Sequence, residues 1–291
     1  MEPVLLDDRA IIAISGPEAR DFLQGLVTND VAEGLAPGTG LYTALLSPQG
    51  KILFDFFVTE GDGALLLDCA QASRDALLKK LKMYKLRAKV DVEARDQLAV
   101  YSNLQGHPEN RPLAYADRAV TYPDPRLAAL GMRSIGAIAE MPANLPGPRA
   151  YHAMRLALGV PEAGDFGSEK IFALDAGLEE LHGVSFTKGC YVGQELTSRM
   201  KHRATARKRI VMIAAQADLP ASGAVTRGGS EIGEILSAYG SAAFALVRLD
   251  RLDETQGEIT AASIPVALTR PAWLGRASAW PVSGSVPASD H

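Results

Sequence analysis

Apolar and polar positions alternate in blocks that change period along the chain. Ile11 to Ile14 form an apolar run and read as a short strand. Ser15 and Glu18 follow in the S-x-x-E pattern of a capping box, and Ala19, Phe22, Leu23 and Leu26 then fall on one helical face, which predicts a helix over about 17–26. Tyr42 to Leu46 and Ile52 to Val58 read as two strands separated at Gly50-Lys51, and Leu65 to Asp68 as a third. Ser73 stands where it would cap a helix that buries Leu77, Leu81 and Tyr84. Val90 to Val92 and Leu98 to Val100 are strand-like again, whereas Asn103 to Arg149 is rich in proline and glycine and reads as loops joining short elements. Strands interleaved with helices, without tight βαβ spacing, make this part α+β.

The pattern changes after Arg207. Arg209 to Ala215, Glu231 to Ser237 and Ala242 to Leu249 are short strands with turn signals such as Arg227-Gly228-Gly229, and Pro265 to Leu268 completes the set. That spacing predicts a small β-barrel. The expected division is an α+β body over 1–205, a barrel over 206–274 and a disordered Ser/Ala/Pro-rich tail over 275–291.

Composition narrows the function classes. A net charge of -4 argues against a globally basic nucleic-acid binder. No apolar run approaches the roughly 20 residues of a membrane span. Cys69 and Cys190, about 120 residues apart, form neither a metal-ligand pattern nor a disulfide framework. With an N-terminus, Met1-Glu2-Pro3-Val4, lacking targeting features, the expected home is a reducing cytoplasm.

The densest chemistry is Lys188-Gly189-Cys190-Tyr191-Val192-Gly193-Gln194-Glu195, followed by Arg199. Gly193 to Arg199 reads as a short helix with Cys190 just ahead of it. The helix N-terminus and the Lys188 charge would both favour a thiolate; the alternative is a buried structural cysteine. A basic run follows: Arg199, Lys201, His202, Arg203, Arg207, Lys208 and Arg209. It is either a solvated face or an anion site beside the thiol. No Cys or His near His202 has ligand spacing. Asp55 stands alone among six apolar residues, on the face of Leu53 and Phe57, and must be solvated or find a partner.

The Lys188–Glu195 stretch resembles the K-G-C-Y-x-G-Q-E signature of the YgfZ-type folate-binding proteins. These are iron–sulfur cluster assembly factors with mitochondrial members, related to the T protein, the aminomethyltransferase of the glycine cleavage system. The resemblance covers most of the chain: Ile14 to Gly25 with Thr28-Asn29-Asp30, Leu45 to Lys51, Tyr84 to Val90, Asp124-Pro125-Arg126, Leu158 to Glu162, and Gly183 to Phe186.

The resemblance implies a two-lobed, T-protein-like folate-binding body that surrounds a central channel together with a C-terminal barrel. It implies an accessory factor in assembling or repairing iron–sulfur clusters, with Cys190 as the functional thiol and Lys188 biasing it toward thiolate. Gly189 and Gly193 would shape the loop, and Gln194, Glu195 and Arg199 would fix its helix. Tetrahydrofolate or a derivative would lie against Asp55, Asp175, Tyr191 and Arg199, and a cluster would be held only transiently. The family's transferases carry an acid pair where this chain has Phe54-Asp55, and its usual Pro-x-Glu reads Ala173-Leu174-Asp175. Asp175 would either meet the pterin or only cap or solvate a short helix. Expected partners are folate and iron–sulfur client or assembly proteins, with neither membrane nor nucleic acid, and the chain is read as a monomer. The alternatives are a tetrahydrofolate-dependent aminomethyl or methyl transferase and an RNA- or partner-binding module.

Overall fold

The computed structural model describes residues 3–104, 119–142, 144–203 and 207–275. The predicted tail from 276 on lies outside these, as do 105–118 of the Pro- and Gly-rich stretch and the Arg203 side chain. The chain divides into two compact units, Met1–Ala206 and Arg207–His291.

The first unit runs β1 (Val4–Leu6), β2 (Arg9–Ser15), α1 (Ala19–Gln24), α2 (Val31–Gly34), β3 (Gly40–Leu46), β4 (Ile52–Gly61), β5 (Ala64–Ala70), α3 (Arg74–Lys85), β6 (Asp91–Ala94) and β7 (Leu98–Asn103). It continues with β8 (Val120–Pro123), β9 (Met132–Ala137), α4 (Arg149–Ala157), α5 (Ala163–Phe166) and α6 (Gln194–Arg203). Two antiparallel sheets form, ordered β3-β4-β5-β2-β6 and β1-β7-β9-β8.

The two-residue period of the strands decides what each face of the larger sheet meets. Ile12, Phe56, Leu67 and their neighbours pack with Leu23 of α1 and Leu77 and Leu81 of α3 in one apolar cluster. Each such buried side chain contributes roughly 1.5–3 kcal/mol. The intervening residues, among them Arg9, Asp55 and Asp68, point to the other face, where they are equally buried.

Both predicted helix caps are absent. Ser15 ends β2, and the chain turns at Gly16 with φ +107°, where a Cβ would strike the Lys89 carbonyl oxygen. Glu18 Oε2 accepts from the Lys89 backbone N–H at 2.9 Å instead of closing a box with Ser15. Ser73 donates back to the Ala70 carbonyl at 3.1 Å and does not cap α3. Local hydrogen bonding by these hydroxyls competes with the capping geometry. Part of the stretch read as loops is a sheet: β8 and β9 pair from Val120↔Ile135 to Pro123↔Met132.

The second unit runs β10 (Lys208–Ala214), β11 (Gly223–Arg227), β12 (Ser230–Tyr239), β13 (Ala242–Arg248), α7 (Leu249–Glu254), β14 (Ile259–Ala261), β15 (Ile264–Pro265) and β16 (Ala267–Thr269). Its sheet is ordered β15-β14-β11-β12-β13-β10-β16. The two outermost strands are separated in sequence by Val266 alone, so the sheet must curl until its ends meet. This is the barrel that the turn spacing predicts. Val211, Val225, Ile232, Phe244 and Val247 are buried in this unit.

Candidate functional site

Cys190 is exposed, which removes the buried-structural reading. Its loop is mounted on the segment Thr28-Asn29-Asp30. Thr28 Oγ1 donates to the Gly183 carbonyl at 2.6 Å, and Asn29 Nδ2 donates to the carbonyls of Tyr42 at 2.8 Å and His182 at 2.7 Å. The Ser185 N–H reaches the Thr28 carbonyl at 3.0 Å.

Lys188 has an anchoring role that its motif did not announce. It is buried, and its ammonium donates to three carbonyls: Gln24 at 2.7 Å, Val27 at 2.6 Å and Asn29 at 2.8 Å. Burial pushes this amine down to about 8, so it keeps its proton at neutral pH, where the carbonyls require it. The ammonium is held by backbone and lies 5.2 Å from the centre of the Tyr191 ring, so Lys188 anchors the loop that carries Cys190. α6 begins at Gln194, with Tyr191 to Gly193 intervening, so Cys190 does not occupy the cap of that helix.

Gly193 is required by close approach. Its φ is +80°, and an added Cβ would lie 2.5 Å from the Ser47 carbonyl oxygen and 2.8 Å from Leu46 Cβ in the β3–β4 turn. Gly189 carries no such demand, because a Cβ there meets open space. Tyr191 is buried, and burial raises its phenol to about 12, with Thr197 opposing the shift. Glu195 and Arg199 form an exposed i,i+4 ion pair at 2.7 Å. Lys201 pairs with Glu179, and His202 is exposed.

Cys69 is the contrasting thiol. It is fully buried on β5, with Sγ 3.6 Å from the Ala10 carbonyl, and burial raises its pKa to about 12. Iodoacetamide at neutral pH is therefore expected to alkylate one thiol per native chain, at Cys190, and the second only in denaturant. Rapid native labelling of Cys69, seen by peptide mass mapping, would contradict this.

Asp55 is only 2% exposed, so the solvated-strand reading fails. Tyr42 donates its hydroxyl to Asp55 Oδ2 at 2.8 Å, while Oδ1 has no hydrogen-bond partner among the described residues. Tyr42 also joins the two halves of the site, because Asn29 holds its carbonyl and its ring lies against Gly183.

Around Asp55 lies a buried charged layer that sequence reasoning missed. Asp68 binds Arg9 at 2.6 Å and Arg133 at 2.5 Å, and Arg126 binds Asp124 at 2.7 Å and Glu162 at 2.8 Å. Tyr151 donates to Glu162 at 2.7 Å. The Phe57 ring is faced by the guanidiniums of Arg133 at 4.0 Å, Arg126 at 4.6 Å and Arg9 at 5.5 Å. The signal was present as single charges inside apolar runs, as with Asp68 after Leu65-Leu66-Leu67.

In this layer three arginines face four carboxyls, namely Asp55, Asp68, Asp124 and Glu162. Burial raises the Asp55 pKa, with Arg9 opposing and Glu162 reinforcing the shift. A carboxyl whose folded pKa lies above its unfolded value stabilises fully below the unfolded value, and loses that stabilisation as pH rises through the folded one. An Asp55→Asn variant cannot ionise, so its melting temperature is expected to gain on wild type as pH rises from about 4 to about 8. A constant or shrinking difference would contradict the assignment.

Asp175 is buried in a run of turns rather than on a short helix. Its segment joins β4 through the Lys51↔Phe172 bridge.

Residues 207–276 match the family model for the CAF17 C-terminal beta-barrel domain. The chain is 33% identical to the mouse (Mus musculus) iron–sulfur cluster assembly factor IBA57, mitochondrial, over 96% of this chain and 85% of that protein. Its identity to the human (Homo sapiens) counterpart is 34%, over 85% and 77% respectively. Glycine cleavage system aminomethyltransferase T from Bartonella henselae shares the fold, with a TM-score of 0.70 at 17% identity, over 91% of this chain and 83% of that one. The names of the two relatives place them in mitochondria, and the cytoplasmic home expected from cysteine count and N-terminus does not stand. At this identity and coverage, the chain belongs to the IBA57 family of iron–sulfur cluster assembly factors.

Proposed function

We propose that this protein is a folate-binding accessory factor of the YgfZ type, which assists assembly or repair of iron–sulfur clusters in client proteins through the Cys190 thiol. The observation that carries this reading is a rigid mount ending in an exposed cysteine. Lys188 ties the loop to three carbonyls, Gly193 seats it on the β3–β4 turn, and the Cys190 thiol between them faces solvent. A soft, accessible sulfur fits transient ligation of iron, with the remaining ligands coming from other thiols.

Asp55 fits a folate contact, since its buried Oδ1 lacks the donor that a pterin or folate N–H supplies. Asp175 and Tyr191 are the other candidate contacts, and Arg199 offers a guanidinium to a glutamate carboxylate. Tetrahydrofolate is expected to raise the melting temperature with concentration. No shift at millimolar ligand, with calorimetry also silent, would remove folate from the proposal.

The transferase reading is not favoured. Position 54, which would carry the second acid, is Phe54 and packs in the apolar cluster on the opposite face from Asp55. Without that carboxylate, aminomethyl transfer is expected to run roughly 10²–10⁴-fold below a true T protein. The cluster-assembly function itself is tested in a strain lacking this protein. Cluster-containing enzymes should lose activity while cluster-free enzymes keep theirs, and unchanged cluster enzymes would refute the proposal.

A further inference from the structure

The segment Tyr84 to Val90 is a landmark that the thiol and folate sites do not use. Between Lys79 and Lys89 the chain carries Lys79, Lys80, Lys82, Lys85, Arg87 and Lys89 and no acid, in a protein of net charge -4. Leu77 and Leu81 anchor α3 in the core, and its outer face presents Met83, 62% exposed, and Leu86, 87% exposed. Leu86 is costly in two ways. Besides its exposure, it occupies the second position of a tight turn closed by the Ala88 N–H to the Lys85 carbonyl at 2.7 Å, with φ +42° and ψ -103°. That region favours glycine, so a leucine there is strained. Beside it, Asp75, Leu78, Lys79, Lys82 and Met83 line a shallow concavity of about 450 Å³.

Hydrogen bonds at the two ends of α1 link the end of this basic segment to the cysteine mount. The turn after Leu86 is tied to the start of α1 by the Lys89 N–H on Glu18, and Lys188 is tied to its end through Gln24. α1 has six residues and is therefore about 9 Å long. α1 and α3 pack in the same apolar cluster. The Lys89 end of the basic segment is thus joined to the Cys190 loop across one short helix.

We propose that the outer face of α3, with the Leu86 turn, is a docking surface for an acidic partner protein, held there so that it meets the Cys190 loop. The proposal rests on Cys190 being the working thiol. Lys85 is paired with Asp91 at 3.2 Å and Asp75 with Arg74 at 2.9 Å, so the excess of Lys79, Lys80, Lys82, Arg87 and Lys89 calls for carboxylates on the partner, and Met83 and Leu86 call for apolar side chains between them. A concavity with Asp75 in its wall suits a protein segment better than an anionic bilayer. Nucleic acid would need stacking aromatics, and this face presents methionine and leucine.

The test places the photo-crosslinking amino acid benzoylphenylalanine at position 83, and separately at Phe186, which is exposed beside the cysteine loop, in the full chain inside cells. Both positions are expected to crosslink one and the same protein, through a carboxylate-rich segment at position 83. The crosslink from 83 should fall roughly tenfold or more when Lys79, Lys82 and Arg87 are replaced by Glu, with the melting temperature held. Leu86→Gly should weaken the same crosslink without lowering the melting temperature. Absence of a crosslink from 83 overturns the proposal. So does a crosslink to lipid, nucleic acid or a second copy of the chain, to a protein other than the one seen from 186, or one indifferent to charge reversal. If the crosslinks behave as expected but Cys190→Ser retains full function, the docking surface stands and the thiol reading alone fails.

Discussion

An Arg126→Met variant is expected to lose about 3–5 kcal/mol of stability, a large part of the roughly 5–15 kcal/mol of a typical domain. Arg126 is fully buried. It binds Asp124 through two nitrogens at 2.9 and 2.7 Å, Glu162 at 2.8 Å and the Tyr151 hydroxyl at 2.7 Å, and it covers the Phe57 ring. Methionine fills much of the volume but donates nothing, so two buried carboxylates lose their main partner. Arg133, 3.6 Å from Asp124, and Arg9, 3.6 Å from Glu162, are already engaged with Asp68. Arg199→Met, which breaks only the exposed pair with Glu195, should change stability by about 0.5 kcal/mol or less. Urea titration of both variants checks the contrast. An Arg126→Met midpoint close to that of Arg199→Met would show that the buried layer contributes little.

What the sequence made legible follows from how local each signal is. Strand β4 was readable because alternation is a nearest-neighbour property, and it put Asp55 opposite Phe54 and Phe56, where it stands. The barrel was readable from its turns. The partners of Lys188 were not, because its acceptors lie about 160 residues away and proximity in sequence pointed to Cys190 instead. The same holds for the arginine layer, whose Arg133–Asp68 pair spans 65 residues. Ser15 and Ser73 carried real capping chemistry, but tertiary packing at Gly16 and a backward bond to Ala70 used it otherwise. The exposure of Cys190 depends on where its loop is mounted, which no local pattern records.

Replacing Cys190 by serine is expected to abolish function with almost no effect on the fold. The side chain is exposed, so the change creates neither a cavity nor an unpaired buried group, and stability should move by no more than about 0.5 kcal/mol. The hydroxyl cannot replace a soft sulfur as nucleophile or iron ligand. Cys69→Ser, inside the apolar cluster, should show the reverse: some loss of stability and retained function in the molecules that fold. The decisive measurement is the activity of iron–sulfur enzymes in a strain lacking this protein, supplied with wild type or Cys190→Ser at matched soluble levels. The account predicts that wild type restores those activities and that Cys190→Ser leaves them near the level of the deletion strain. A folded Cys190→Ser protein that restores them as fully as wild type would contradict it.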